Sequence, residues 1–193
     1  MQDRIRFILL ESAHIKRMLA EDEGIHRRLS DAVDLVVGAL RSGRRLWFCG
    51  NGGSAADAQH LAAEFSGRFY RDRKALPAEA LHANSSYLTA VANDYGYEFV
   101  YSRIVEGVCQ TGDVLVGLST SGNSANIVMA FEAAREKGVH TVGFTGAGGG
   151  KMGPLSEILI EAPSTDTPRI QEAHILMGHI ICQLAEESYF GGA

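Results

Sequence analysis

Beyond residue 45, five short apolar runs alternate with helical stretches, and this alternation constrains the chain more than any other feature of its sequence. The runs cover residues 46–49, 78–82, 114–118, 141–144 and 158–160. The composition predicts helices over 55–65, 85–92, 98–108 and 125–137, and a last one from 170 to about 188. Gly138, directly after Glu136-Lys137, marks a helix C-terminus. Short apolar strands alternating with helices predict an α/β fold with a parallel sheet covered by helices on both faces. Ligands of such sheets bind beyond the carboxyl ends of the strands, so chemistry is expected in the loops that follow each run.

The region before this alternation contains no strand-like run. Ile5, Ile8, Leu9, Ile15, Met18 and Leu19 form an apolar stripe on one helix, and Leu29, Val33, Val36, Val37 and Leu40 form another that Ser42-Gly43 ends. A helix with one wet and one apolar face either covers its own domain or joins a helix of another subunit. No repeat, low-complexity tract or linker interrupts the chain. Residues 1–193 therefore read as one domain, with helices in 1–42 and an α/β core in 43–193.

A chain of 193 residues can bury a substantial core, and 46% hydrophobic with 21% charged residues is a globular composition. A net charge of −5 without a basic run argues against nonspecific binding to nucleic acid or an anionic membrane. Cys49, Cys109 and Cys182 are isolated, as reduced residues of a cytoplasmic protein would be, and form neither a disulfide set nor a CxxC site. No segment is apolar for the length of a membrane span, and Met1-Gln2-Asp3-Arg4 is not the start of a signal peptide.

The first strand runs into Gly50-Asn51-Gly52-Gly53-Ser54 and then into an alanine-rich helix. Such a unit leaves backbone N–H groups free at the helix start, where they and the helix dipole favour an anion. Two turns on, His60 and Glu64 share one helix face, as a metal-ligating or acid–base pair or as a solvated surface pair. Gly50-x-Gly52-x-x-Ala55 also fits a dinucleotide fingerprint. That reading wants an acid at the tip of the second strand, where the chain has Glu79 inside the run and none at its end.

The third strand leads into Ser119-Thr120-Ser121-Gly122-Asn123-Ser124 and a further helix. Ser124 alone would be an N-cap, but four hydroxyls and a glycine turn at a helix start suit a phosphate monoester. Gly148-Gly149-Gly150-Lys151-Met152 is not a P-loop, because Met152 stands where Ser or Thr belongs. Asn93-Asp94, before Tyr95-Gly96, reads as a plain turn. In the last helix Glu172 and His179 nearly eclipse, so helix geometry alone pairs His179 with Glu172 rather than with Gln171.

Together, Asn51-Gly52-Gly53-Ser54, the 119–124 loop and Arg169-Ile170-Gln171-Glu172 resemble the sugar isomerase (SIS) domain family, and within it the bacterial phosphoheptose isomerases. The likeness runs over nearly the whole chain. It implies a flavodoxin-like three-layer α/β/α sandwich with a five-stranded parallel sheet plus the N-terminal helices. It also implies a homotetramer with active sites between subunits. The implied reaction converts sedoheptulose 7-phosphate to D-glycero-D-manno-heptose 7-phosphate, the first step toward nucleotide-activated heptose for lipopolysaccharide core or other heptose-containing glycans. The family's zinc site, one ion per subunit, falls on His60, Glu64, Gln171 and His179, so the resemblance selects Gln171 over Glu172. Substrate contacts fall on Asn51, Gly52, Gly53, Asn93, Asp94, Ser119, Thr120, Ser121 and Ser124, and again on Glu64 and Gln171. Some members carry an Asp just before the Arg/Lys-Ile-Gln element; here that position is Pro168, with Asp166 two residues earlier.

A ketose–aldose isomerisation needs a base over carbon, a proton donor at the oxygens and stabilisation of enediolate charge. Glu64 is the expected base and His179 its acid–base partner. Two other classes fit the resemblance less well. A replication-initiator-associating protein acts by protein contact and does not need Glu64 and His179 as a set. A sugar-phosphate sensor usually carries a DNA-binding domain, for which these 193 residues leave no segment.

Overall fold

The computed structural model describes residues 1–191, so the last two positions of the expected 43–193 unit lie outside the described residues. Helices α1 (Gln2–Glu21) and α2 (Glu23–Arg41) come first. Asp22 separates them, and its carboxylate accepts hydrogen bonds from the N–H groups of Gly24 and Ile25, capping α2 at 2.7 and 3.1 Å. The apolar stripe of α2 is buried as expected. That of α1 is not: Leu19 is buried, but Ile5, Phe7, Ile8, Leu9, Leu10 and Met18 are exposed.

The alternating part follows as β1 (Leu46–Gly50), α3 (Gly53–Ser66), β2 (Ala78–Ala80), α4 (Ser85–Asp94), α5 (Ser102–Val108), β3 (Val114–Ser119), α6 (Ala125–Glu136), β4 (His140–Thr145), β5 (Ile158–Glu161) and α7 (Thr167–Tyr189). The five strands form one parallel sheet in the order β2-β1-β3-β4-β5. Strand order reverses between β1 and β3, which opens a crevice at their carboxyl ends. Because side chains alternate along a strand, Leu46 and Phe48 pack with α2, α3 and α7, while Trp47 and Cys49 pack with the α4–α6 layer. Every residue of β1 and β3 is buried, which explains their uninterrupted apolar character.

The structure revises two of the expected elements. The helix expected over 98–108 is a 3-10 turn, Tyr97–Phe99, followed by α5. Tyr101 lies at the break because its buried hydroxyl donates to the carbonyl of Gly50, a tertiary bond that a continuous helix would not place there. The second strand stops at Ala80, where the N–H of Ala83 turns back to the Ala80 carbonyl at 3.1 Å. The glycine run opens a 3-10 turn, Gly150–Leu155, anchored by the buried Met152.

Buried polar groups tie the layers together. Asp113, at the amino end of β3, accepts from the N–H groups of Arg45 and Gln110 and from the indole of Trp47, at 2.9–3.0 Å. His174 on α7 is fully buried, and burial pushes it down to about 4. It is thus neutral at neutral pH, with Nε2 3.0 Å from the carbonyl of Thr145.

Candidate active site

Helices α3 and α7 start at the same end of the sheet and run side by side in the same direction. Their register is readable at two levels. Near the start, the Gln171 side chain rests on Gly53, where an added Cβ would lie 2.5 Å from Nε2. Two turns further, Gly178 lets Leu61 approach so closely that a Cβ there would lie 2.6 Å from a Leu61 methyl. This close approach sets His179 beside the face of α3 that carries His60 and Glu64. His60 Nε2 is 3.0 Å from His179 Nε2 and 3.3 Å from a Glu64 carboxylate oxygen. One ligand atom from each of the three residues lies within 4.8 Å of the others. Burial, and secondarily His60, hold His179 below the ordinary imidazole range, against an upward pull from Glu64.

These donors fit a metal ion. A tetrahedral zinc with bonds of about 2.0–2.1 Å holds its ligand atoms roughly 3.3–3.4 Å apart. The observed 3.0 and 3.3 Å are near that edge length. Two imidazoles and a carboxylate are also the nitrogen and oxygen donors zinc takes. Gln171 is not brought to this trio within one chain. It lies level with Gly53, seven residues or roughly 10 Å along the helix from His60. Glu172, which helix geometry favoured, is excluded. It shares a face with His179, but two turns earlier the neighbour is α1, and its carboxylate accepts from Ser12 Oγ at 2.6 Å and Arg169 Nε at 3.0 Å. Asp166 sits exposed at the start of α7, making no side-chain cap bond.

The phosphate loop takes shape at the carboxyl end of β3. Ser124 stands at the N-cap position of α6 but makes no cap bond; its hydroxyl lies 2.9 Å from that of Ser119. The plain-cap reading of Ser124 is thereby removed, and no side chain caps the helix start. Ser121 Oγ accepts from the N–H of Asn123 at 3.1 Å, and Thr120 is joined to the next loop through the N–H of Gly146 at 3.0 Å. At the neighbouring β1 loop, Gly52 takes the N-cap position of α3 with φ +54° and no side-chain cap. Asn93 and Asp94 are exposed in the last turn of α4, with the Asn93 amide donating to the Asp94 carboxylate at 2.9 Å.

Asn126 escaped the sequence reading. Its buried amide exchanges two hydrogen bonds with Asn51, at 2.9 and 2.8 Å, and Tyr97 donates to the same Asn51 oxygen at 3.1 Å. This bridge spans the crevice between β1 and β3 and fixes one loop against the other. An asparagine one position into a helix, after four hydroxyls, carries no local sign of this role.

Known proteins are similar to this chain in sequence and in fold. The SIS domain family matches residues 12–146, more than half of the chain. The chain belongs to the SIS domain family. A phosphoheptose isomerase of Rhodospirillum rubrum is 56% identical over 160 residues, covering 83% of this chain and 85% of its own. One of Akkermansia muciniphila is 50% identical over the full length of both. The solved phosphoheptose isomerase of Neisseria gonorrhoeae superposes with a TM-score of 0.90 at 40% identity, covering 96% of this chain and 98% of its own. As an SIS domain, the chain has its five-stranded parallel sheet and flanking helices in common with that structure.

Proposed function

We propose that this chain is a ketose–aldose isomerase that converts sedoheptulose 7-phosphate to D-glycero-D-manno-heptose 7-phosphate, acting as one SIS unit over its whole length. The observation that carries the proposal is the convergence of His60, Glu64 and His179 in a chain half-identical to phosphoheptose isomerases. Hydroxyls of Ser119, Thr120, Ser121 and Ser124, with the uncapped start of α6, hold the phosphate. Asn51, Gly52, Gly53, Asn93, Asp94 and Gln171 line the sugar. Glu64 takes the proton from C1 and returns it to C2, while His179 moves a proton between the two oxygens, so that the cis-enediol forms and collapses without net change. His60, Glu64 and His179 would hold a zinc ion, with a Gln171 from another subunit as the further ligand, and the ion would supply Lewis acidity toward the substrate oxygens. A pure protein-binding role leaves this clustered trio without a use.

The assembly proposed is a homotetramer with each site between subunits. Two facts support it: Gln171 is remote from the trio of its own chain, and α1 exposes six large apolar side chains. Burying side chains of this kind is worth roughly 1.5–3 kcal/mol each, on the order of 10 kcal/mol for the set before association costs. Light scattering is expected to give a tetramer at micromolar concentration and a smaller species on deletion of residues 1–20. A tetramer that survives the deletion would refute a bundle built on α1. No described helix is long and apolar enough to cross a membrane, and the three cysteines are buried and free, which suits a reducing cytoplasm.

The reaction is tested with purified protein and sedoheptulose 7-phosphate. The aldose product is expected, with loss on chelation and recovery on adding zinc. Absence of turnover in zinc-replete protein would move the chain to the binding class.

A further inference from the structure

At its far end the α3–α7 pair is held at a third level. Glu186 on α7 is 2% exposed, yet its carboxylate accepts four hydrogen bonds: from the N–H groups of Phe69, Tyr70 and Arg71 at 2.9–3.2 Å and from Arg73 Nε at 2.9 Å. Burial raises its pKa, but these donors outweigh it and hold Glu186 below the ordinary carboxylate value. Arg73 is buried as well, and its guanidinium turns back onto the end of α3. It donates through Nη2 to the carbonyl of Glu64 at 2.7 Å and through Nη1 to those of Phe65 and Gly67 at 2.7 and 3.1 Å. Those carbonyls lie at a helix C-terminus, which leaves acceptors without intrahelical partners and where a cation is also favoured by the dipole. The same carboxylate pins the main chain of Phe69, whose ring lies 5.5 Å from that of His179. One buried ion pair thus grips Glu64 through its backbone and His179 through the ring packed on it.

We infer that Glu186 and Arg73 are positioning residues for the His60–Glu64–His179 trio, setting its metal affinity and turnover and not merely joining a loop to the fold. The inference rests on the reading of that trio as the catalytic centre. A salt bridge serving stability alone would need only to close the 67–75 loop; this one is spent on the carbonyl of the very residue that carries the base. Outer partners that orient ligands typically carry 10–100-fold of metal affinity or activity.

The test compares Glu186→Gln with Asp113→Asn, an equally buried, multiply bonded carboxylate whose partners, Arg45, Trp47 and Gln110, lie on neither α3 nor α7. Zinc affinity is measured by competition with a chromophoric chelator, alongside kcat, KM, near-UV circular dichroism and the urea midpoint. Glu186→Gln is expected to weaken zinc binding and lower kcat by about tenfold or more each, with KM little changed. Asp113→Asn is expected to lower the urea midpoint while leaving both within about twofold. Arg73→Lys, which keeps the cation but not the fork that reaches four carbonyls, is expected to act like Glu186→Gln and replaces it should that variant not fold. Folded Glu186→Gln or Arg73→Lys with wild-type zinc affinity and kcat would overturn the inference alone, as would an equal loss in Asp113→Asn. Wild-type protein that binds no zinc and keeps its turnover in Glu64→Gln would overturn the trio reading and this inference with it.

Discussion

Glu64→Gln is expected to lower turnover by at least about 10²–10⁴-fold, the share general acid–base catalysis contributes, and by more where zinc is lost as well. The amide has the shape of the carboxylate and still accepts hydrogen bonds, but it does not take a proton from carbon. Glu64 is anchored on α3 by its main-chain carbonyl, and its side chain faces His60 at 3.3 Å instead of the core, so fold and assembly are expected to persist. Substrate binding is expected to persist largely too, because the phosphate is held at the 119–124 loop. His179→Gln should behave alike. Glu172→Gln should be mild, since Glu172 meets Ser12 and Arg169 on the side of α1. Near-normal turnover in purified Glu64→Gln with intact substrate binding would sink the mechanism.

The contrast between Gln171 and Glu172 shows where sequence pattern stops being informative. Periodicity says which residues share a helix face, and it correctly puts Glu172 beneath His179. It does not say that the face meets α1 at one level and α3 two turns later. The central strands β1, β3 and β4 were legible because they lie in the sheet interior, where both faces demand apolar residues. The α2 stripe was legible because it is buried against the fold, and the α1 stripe was legible although the single chain leaves it exposed. Within the site, the hydroxyl loop and the His60–Glu64 pair announce themselves because their members are close in sequence. Asn126, Arg73 and Glu186 do not. Their partners are 75 and 113 positions away, and a buried amide or carboxylate is recognisable only once the group that satisfies it is known. The break at Tyr101 has the same origin, a bond to Gly50 that local helix propensity does not register.

Gly122→Ala should disable the phosphate loop more thoroughly than removal of any one of its hydroxyls. Loss of one charge-assisted hydrogen bond, as in Ser121→Ala, is worth about 1.5–3 kcal/mol, or roughly ten- to a hundredfold in affinity. Gly122 holds φ +64°, and a Cβ there would overlap the carbonyl oxygen of Gly149 and lie 2.7 Å from its carbon and 3.0 Å from the nitrogen of Gly150. These are backbone atoms that no rotamer change clears. The Gly122 carbonyl also accepts from the N–H of Met152 at 3.0 Å, so relief of the overlap moves two loops apart at once. Gly148 separates strain from collision, because its φ is +95° but a Cβ would meet nothing within 4 Å. Gly148→Ala therefore carries only the left-handed backbone cost of about 1–2 kcal/mol, some of it felt as lost stability and little as lost binding. The expected result is a KM for the sugar phosphate raised by about a hundredfold or more in Gly122→Ala, with weaker inhibition by inorganic phosphate, and by less than about tenfold in Gly148→Ala. Equal KM values in the two variants would mean that the contact between the 119–124 loop and the glycine run does not shape the phosphate site.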